Sequence, residues 1–310
     1  MKKESLNNKF LDINNKSKFK IFLFPLYPIN FFKSTVLICL LSSLIALRVI
    51  MQFFTIPIPQ FGLTLSIAHT PIIVIGWFFG PVIGFFAGML TDTICYFAKP
   101  TSPWFFLYAI QEPLLCMISG MIGSLYVINK NKEKIKGEII FSKVMLYSFT
   151  LFTLIVLIIY AQPDNKFQGS NGLKENDFFN VYKYVAIGTI ILFIIIYELF
   201  FIYLYKKKKK VDRLFLYLTS IGFLNAIIFS FLLGTISAVE YSKVFFPTNN
   251  NFIKYGAMFY VIPRVIKESI KTPIQIVLLF SIVIAVTPYF QNIINNILLS
   301  WNSVIEKKTK

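Results

Sequence analysis

The sequence is poor in the residues from which metal centres and thiol or imidazole active sites are built. It contains a single histidine, His69, and three cysteines, Cys39, Cys95 and Cys116, which lie too far apart to show the spacing of metal ligands. Metal sites that can be recognised in a sequence consist of histidines and cysteines at short, regular intervals. The sequence therefore predicts no metal site, and it assigns the cysteines the role of small core residues.

Motifs of the common hydrolases and nucleotide-binding proteins are also missing. There is no GxxxxGK[ST] phosphate-binding loop, no HExxH metalloprotease motif and no GxSxG nucleophile elbow. Asp92 and Glu112 could form an acid–base pair, but no neighbour in the sequence would activate either carboxyl group. We therefore expect neither an enzyme nor a cofactor of its own, and the chain has no P-loop ATPase with which to use ATP.

The chain has too few polar residues for a soluble protein of its length. Only 14 of its 310 residues are acidic, and 56% are hydrophobic. Stretches such as Leu151–Tyr160 lack the polar face that a helix in a soluble bundle needs. Several apolar runs reach the ~20 residues that cross the hydrocarbon core of a bilayer. These features predict an all-α integral membrane protein.

The basic residues predict how the chain crosses the bilayer. Of the 31 Lys and Arg residues, 21 fall in four segments, 2–33, 130–143, 206–213 and 307–310. Cytoplasmic segments of membrane proteins are enriched in Lys and Arg, so this alternation predicts about eight spans with both termini in the cytoplasm. No basic cluster is interleaved with aromatic residues in a polar domain, so a nucleic-acid partner is not expected.

The predicted spans form one membrane domain, 34–290, between a basic N-terminal segment, 1–33, and a cytoplasmic tail, 291–310. We place the spans at about Ser34–Phe54, Ser66–Phe79, Pro81–Phe97, Trp104–Tyr126, Ile140–Ala161, Val181–Tyr205, Leu214–Val239 and Met258–Phe290. The last span is expected to break at Pro273 and Pro288, because proline lacks the N–H that continues a helix. Residues 55–65 are expected to form an uncharged, proline-rich external loop.

Several polar residues lie within these apolar spans. At a rise of ~1.5 Å per residue, Arg48, His69, Asp92 and Glu112 all lie in the outer half of the bilayer. Charges at this depth are costly unless they are paired or hydrated, and they indicate a functional site by default. We favour a hydrated substrate cavity that opens outward. The alternative is a buried network, in which Arg48 and Arg264 pair with Asp92 and Glu112, that only holds helices together.

The last span carries a cationic face. Arg264, Lys267 and Lys271 follow one another at intervals of three and four residues, so they share one side of the helix. Such a face suits an anionic substrate, although Glu268 could neutralise part of it by pairing with Arg264. Aromatic residues from Trp104 to Tyr108 could stack on a planar ring or form an interfacial belt.

Small residues predict close contacts between helices. Gly80, Gly84 and Gly88 recur at intervals of four at the start of the third span, and Ser42 and Ala46 leave a smooth strip on the first. Such strips let helix backbones approach one another in lipid. The strip on the first span could serve contacts within the chain or contacts with another subunit.

Three segments of the sequence resemble a known family. They are ALRVIMQFFTIPIP, GPVIGFFAGMLTDTICYF and YVIPRVIKESIKTPIQIVLL. The first two resemble the substrate-binding (S) subunits of energy-coupling factor (ECF) vitamin transporters, and the third is similar to the last helix of the folate-specific members. The resemblance covers 34–128 and 212–290, which is the family's six-helix core. It leaves 139–206 as an inserted pair of transmembrane helices.

The resemblance implies a subunit of a vitamin importer in the bacterial plasma membrane. It implies that the chain binds its vitamin from outside, beneath the connections Thr55–Leu65 and Ala98–Pro103. It also implies docking through Ser42 and Ala46 onto a transmembrane coupling subunit, which two ATPase subunits drive. The expected substrate-binding residues are Arg48, Gln52, His69, Asp92, Trp104, Gln111, Glu112, Arg264 and Lys267. Folate is the expected vitamin; the alternatives are riboflavin, a queuosine precursor, or a membrane scaffold without transport activity.

Overall fold

A computed structural model describes most of the chain. The described residues are 15–27, 29, 31–58, 63–100, 102–130, 136–161, 184, 187–188, 191–192, 194–199, 202, 213–247 and 258–308. The predictions for residues 1–14, for the polar connection 162–178 and for the lysine run 206–210 lie outside these ranges. So do the tips of the two external connections, at 59–62 and 101.

Helices make up nearly all of the described structure. They are α1 Asn15–Leu23, α2 Thr35–Met51, α3 Thr70–Phe79, α4 Pro81–Ala98, α5 Phe106–Ala109, α6 Gln111–Asn129, α7 Lys136–Ala161, α8 Arg213–Leu224, the π-helix Asn225–Leu233, α9 Gly234–Phe245 and α10 Met258–Lys308. A short 3₁₀ helix covers Phe31–Lys33. The hydroxyl of Ser34 accepts a 3.4 Å hydrogen bond from the Leu37 N–H and so caps α2. Pro81 opens α4, where its fixed φ angle suits the first turn.

The helices confirm that this is an all-α membrane protein. Five stretches are long and apolar enough to cross a bilayer: Pro81–Ala98, Phe106–Asn129, Lys136–Val156, Arg213–Phe245 and Tyr260–Leu299. Two shorter apolar helices, α2 and α3, coincide with the first two predicted spans. The described residues of the predicted span Val181–Tyr205 are also helical. The helical spans therefore follow the predicted order along the chain.

The connection predicted as a proline-rich external loop contains two short strands, which the sequence analysis did not predict. Ile56–Ile58 and Leu63–Leu65 form a two-stranded antiparallel sheet in which Ile56 lies opposite Leu65. Proline restricts both itself and the residue before it to conformations that include the extended one. The prolines that suggested a loop are therefore compatible with a short strand.

The last helix also differs from its prediction. α10 runs without a break from Met258 to Lys308 and contains Pro263, Pro273 and Pro288. The predicted breaks at Pro273 and Pro288 are wrong, and the helix continues past residue 290. The assignment of 291–310 to a cytoplasmic tail remains a prediction. Prolines are tolerated in membrane helices when neighbouring helices hold the chain in place. Buried residues on both sides of each proline, from Ile262 to Phe290, supply that support.

Glycines bring α3, α4 and α6 into close contact. A Cβ atom at Gly88 would lie 2.7 Å from the Pro113 Cα, and a Cβ atom at Gly123 would lie 2.6 Å from the Trp77 carbonyl oxygen. The predicted small-residue face of α4 is therefore an interface with α6. Gly80, between α3 and α4, has a φ angle of 87°, which residues with a side chain rarely adopt.

The described residues form two hydrophobic clusters. The larger one joins α2, α3, α4 and α6 to α8 and α10. The second consists of residues from α7, α8, the π-helix and α10, together with Tyr197. Helix α7 packs on α8 and α10, whereas α2 packs on α3 and α4. The two clusters thus place α2 and α7 on different sides of the bundle.

Candidate functional site

Two adjoining cavities lie at the end of the helix bundle that the sequence predicts to face outward. The larger one, of about 450 Å³, is bordered by residues next to both external connections, including Thr55, Lys99 and Pro103. The smaller one, of about 170 Å³, lies between α6, the π-helix and α10. His69, Tyr108 and Glu112 line both cavities and form the wall between them.

All nine residues predicted to bind substrate line one of these cavities. Arg48, Gln52, His69, Asp92, Trp104 and Glu112 line the larger cavity, and His69, Gln111, Glu112, Arg264 and Lys267 line the smaller one. Helices α2, α4, α6 and α10 supply most of these residues, although they are distant in sequence. Their role in binding a substrate remains a prediction.

A buried ion pair joins α2 to α6 at the wall between the cavities. The Arg48 Nη2 donates to the Glu112 Oε1, and the two side chains are each 8% exposed. His69 Nδ1 lies 3.9 Å from the same carboxylate oxygen. This ion pair uses only some of the hydrogen-bonding atoms of the two side chains. Among the described residues, Arg48 Nε and Nη1, Glu112 Oε2, His69 Nδ1 and Gln52 Oε1 are buried without a hydrogen-bond partner.

These unsatisfied atoms favour one of the two interpretations of the buried charges. A network that only held helices together would be expected to pair its polar atoms, because each unpaired buried group costs roughly 1–3 kcal/mol. Here several donors and acceptors cluster at the wall of a cavity instead. The predicted pairing of Asp92 with Arg48 or Arg264 is also not found. Asp92 lines the larger cavity and has no ion pair within the described part of the chain. Ligand binding accounts for this arrangement better than bracing alone.

The cationic residues of α10 surround a fully buried carboxylate. Glu268 Oε1 lies 3.4 Å from Lys267 Nζ and 3.2 Å from Lys271 Nζ. Thr272 donates a hydrogen bond of 3.2 Å to Glu268 Oε2. The predicted pairing of Glu268 with Arg264 is therefore wrong. Arg264 Nη1 donates instead to the Tyr260 carbonyl oxygen at 2.7 Å. The three cations share one face, as the spacing predicts, and all line the smaller cavity.

Sequence reasoning missed the polar residues of the seventh span. Asn225 Nδ2 donates to Gln275 Oε1 at 3.2 Å. Ser230 lines the smaller cavity, and Ser237 accepts from Gln111 Nε2 at 2.8 Å. These residues stand out as polar positions in an otherwise apolar span, which is the signal that could have found them.

Aromatic residues line the larger cavity. Trp104, Phe105, Tyr96 and Tyr108 border it, whereas Phe106 is 59% exposed and lines neither cavity. Phe105 and Tyr108 meet edge to face at 6.1 Å. Of the predicted aromatic residues, Trp104, Phe105 and Tyr108 could therefore stack on a planar ligand in the larger cavity, whereas Phe106 could not.

A family model described as "ECF-type riboflavin transporter, S component" matches residues 32–196, which is more than half of the chain. The chain belongs to this family. S components are substrate-binding subunits of transporters and not enzymes. The S component described here is therefore a transport protein of the membrane, as the sequence predicts.

Two further relatives share nearly the whole length of this S component. The uncharacterized protein MG313 of Mycoplasma genitalium is 30% identical over 292 residues, which cover 91% of this chain and 100% of the relative. Its homologue in Mycoplasma pneumoniae is 29% identical over 287 residues, which cover 90% of this chain and 99% of the relative. No solved structure matches the chain.

The extent of the family match bears on the predicted insertion. The matched residues include α7, which sequence analysis assigns to the inserted pair 139–206, and they do not include α10. No described residue between 136 and 202 lines either cavity. The division into a six-helix core and an inserted pair therefore remains a prediction.

The predicted docking strip of this S component lies on an open face of α2. Ser42 and Ala46 are both exposed. The Ser42 hydroxyl donates to the Ile38 carbonyl oxygen at 3.0 Å, so it is held within its own helix. Large apolar neighbours such as Leu47 and Ile50 are exposed as well. The use of this face in docking remains a prediction.

Proposed function

We propose that this S component captures folate from outside a bacterial cell and delivers it across the plasma membrane. Delivery would depend on a transmembrane coupling subunit and two ATPase subunits. The proposal rests on one observation: an aromatic cavity bordered by carboxylates adjoins a smaller cavity with an excess of cations. A ligand with a planar ring at one end and carboxylates at the other would suit both.

The smaller cavity supports binding of the carboxylates. Arg264, Lys267 and Lys271 line it together with the single carboxylate of Glu268, while Glu112 is engaged with Arg48. Cations held in a partly enclosed space attract anions more strongly than cations on an open surface, because less water screens them. The glutamate part of folate carries two carboxylates and would offset this excess of positive charge.

The larger cavity supports binding of the ring. A pterin ring presents adjacent N–H donors, which a carboxylate or amide oxygen can accept. Asp92 has no ion pair among the described residues, and Glu112 Oε2 and Gln52 Oε1 lack hydrogen-bond partners there. Trp104 and Phe105 border the same cavity and offer planar faces. Its volume of about 450 Å³ falls within the usual ~300–1,000 Å³ of ligand pockets.

Riboflavin is the second candidate, because the matching family description names it. Its flavin ring is also planar and would fit the larger cavity. Riboflavin has no carboxylate, however, and would leave the cations of α10 without a ligand. The effect of substituting those cations on binding therefore distinguishes folate from riboflavin as the ligand.

The test measures binding to the full-length protein in lipid nanodiscs by isothermal titration calorimetry. Folate, pteroate, which lacks the glutamate, and riboflavin are compared on the wild type and on the double variant Arg264→Met/Lys267→Met. We expect folate to bind most tightly and to lose about 30-fold or more in affinity in the double variant. Lys243→Met, which removes an exposed lysine of α9, serves as the matched control. Tight riboflavin binding that the double variant leaves unchanged would reject folate.

A further inference from the structure

The π-helix Asn225–Leu233 separates the smaller cavity from α7. Asn225, Phe229 and Ser230 line the cavity, whereas Phe231 points away from it and is 3% exposed. A π-helix has hydrogen bonds five residues apart and is rare, and it is often found at functional sites. Its N-terminal neighbour α8 and its C-terminal neighbour α9 are ordinary α-helices. The wider turns are thus confined to the segment that borders the cavity.

Aromatic rings of α7 pack on the side of the π-helix that faces away from the smaller cavity. Phe231 stacks on Phe152 at a centroid distance of 4.9 Å and an angle of 23°. It also stacks on Phe149 at 5.8 Å and 9°. Phe149 meets Phe223, which lies just before the π-helix, at 5.5 Å. Helix α7 therefore contacts both ends of the π-helical segment through two neighbouring rings.

A buried polar cluster sets the position of α7 along α8. The Ser142 hydroxyl lies 2.6 Å from the Tyr197 hydroxyl and 3.0 Å from the Thr219 hydroxyl. All three side chains are at most 1% exposed. Hydrogen bonds between helices in lipid orient one helix against another. The cluster therefore joins α7, the helical stretch around Tyr197 and α8 in one register.

The side of the π-helix that faces the smaller cavity lies against residues of α10. Ser230 lines the smaller cavity together with Glu268, the carboxylate that lies between Lys267 and Lys271. Asn225 donates to Gln275, two turns beyond Glu268 along α10. Any shift of the π-helix would therefore move partners of the residues that line the cavity. Helix α7 contributes no described residue to that lining, so it can affect the cavity only through the elements on which it packs, the π-helix among them and α10 as well.

We infer that α7 is a brace that holds the π-helix in the conformation that the smaller cavity needs. Phe149 and Phe152 act through Phe231, which is a positioning residue although it lines neither cavity. Uncommon backbone conformations persist only where the surrounding structure holds them. The effect on substrate rests on the proposed function of the cavity, but the effect on the π-helix does not. The inference therefore assigns a role to α7, none of whose described residues lines either cavity.

Hydrogen–deuterium exchange of the full-length protein in nanodiscs tests the brace directly. Phe149→Ala removes the central ring, and Leu154→Ala, at an exposed position of the same helix, is the matched control. We expect exchange of the amides of Asn225–Leu233 to increase about tenfold or more in Phe149→Ala and to stay unchanged in the control. Unchanged exchange in folded Phe149→Ala would overturn the inference.

Milder substitutions at Phe152 test the same inference if Phe149→Ala does not fold. Phe152→Leu removes one ring of the stack at a half-buried position, and Phe152→Tyr retains the ring. Phe152→Leu should increase exchange in the same segment, and Phe152→Tyr should restore it; equal exchange in both would reject the brace. Folate and riboflavin affinities are measured in parallel, and we expect about a tenfold loss of folate affinity in Phe152→Leu only. If the wild type binds neither vitamin, the proposed function fails, while the exchange data still decide the role of α7.

Discussion

Arg48 of α2 and Glu112 of α6 form a buried ion pair at the wall that the two cavities share. The residues are 64 positions apart in sequence, and their contact connects the outer ends of two helices. The pair has few other partners among the described residues, since three of its polar atoms have none. It therefore contributes both to the stability of the bundle and to the polarity of the cavities.

Breaking this pair should destabilise the protein strongly. Arg48→Met leaves the Glu112 carboxylate buried without its cation, and loss of one partner from a buried pair costs about 3–5 kcal/mol. Thermal unfolding in detergent measures the effect. The double variant Arg48→Met/Glu112→Gln should recover part of the loss, because no buried charge remains unpaired.

An exposed ion pair provides the control for this prediction. Glu240→Gln breaks the pair with Lys243 on the surface of α9, where both side chains are more than 40% exposed. It should change stability by no more than about 1 kcal/mol. Equal effects of Arg48→Met and Glu240→Gln would contradict the prediction.

Enlarging Gly88 should disturb the cavity wall from a distance. A Cβ atom at this position would lie 2.7 Å from the Pro113 Cα and 3.0 Å from the Glu112 carbonyl oxygen. Gly88→Ala should therefore push α4 away from α6, cost about 1–3 kcal/mol and weaken ligand binding. Gly137→Ala, where no atom lies within 4 Å of the added Cβ, is the matched control and should leave the melting temperature unchanged or raise it. A Gly88→Ala protein as stable as the wild type would show that this interface can relax.

Removing the Glu268 carboxylate should make the protein more dependent on an anionic ligand. Glu268→Gln leaves Lys267 and Lys271 without the carboxylate that they share, which destabilises the unliganded protein. An added dicarboxylate such as folate can then interact with both cations. The measurement is the increase in melting temperature on addition of folate, which we expect to be larger for Glu268→Gln than for the wild type. A smaller increase in the variant would argue against anion binding at these lysines.

A bulky residue on the exposed strip of α2 should block docking without affecting ligand binding. Ala46→Leu adds volume to a face where close approach of another helix would require small residues. We expect co-purification with ATPase subunits from native membranes to be lost while vitamin affinity stays unchanged. Ala285→Leu, at an exposed position of α10, is the control for added volume. Retained co-purification in Ala46→Leu would place the docking surface elsewhere.

Local chemistry was enough to predict several features of this protein. Apolar runs predict helices that cross the bilayer, because its hydrocarbon core excludes polar residues, and basic segments predict which connections face the cytoplasm. The recurrence of Gly84 and Gly88 predicts a close helix interface, and helical spacing predicts that Arg264, Lys267 and Lys271 share a face. These properties depend on residues within one helix, so the periodicity of the sequence is sufficient to reveal them.

Other features depended on how the helices pack. Arg48 of α2 pairs with Glu112 of α6 and not with Asp92 of α4. Such choices follow from the rotation of each helix about its axis, which the sequence of one helix does not reveal. The π-helix and the unbroken α10 likewise depend on neighbouring helices that support unusual backbone. The sequence by itself determined that polar groups lie within the membrane, and only the tertiary structure decided which of them meet, because pairing depends on distances between helices.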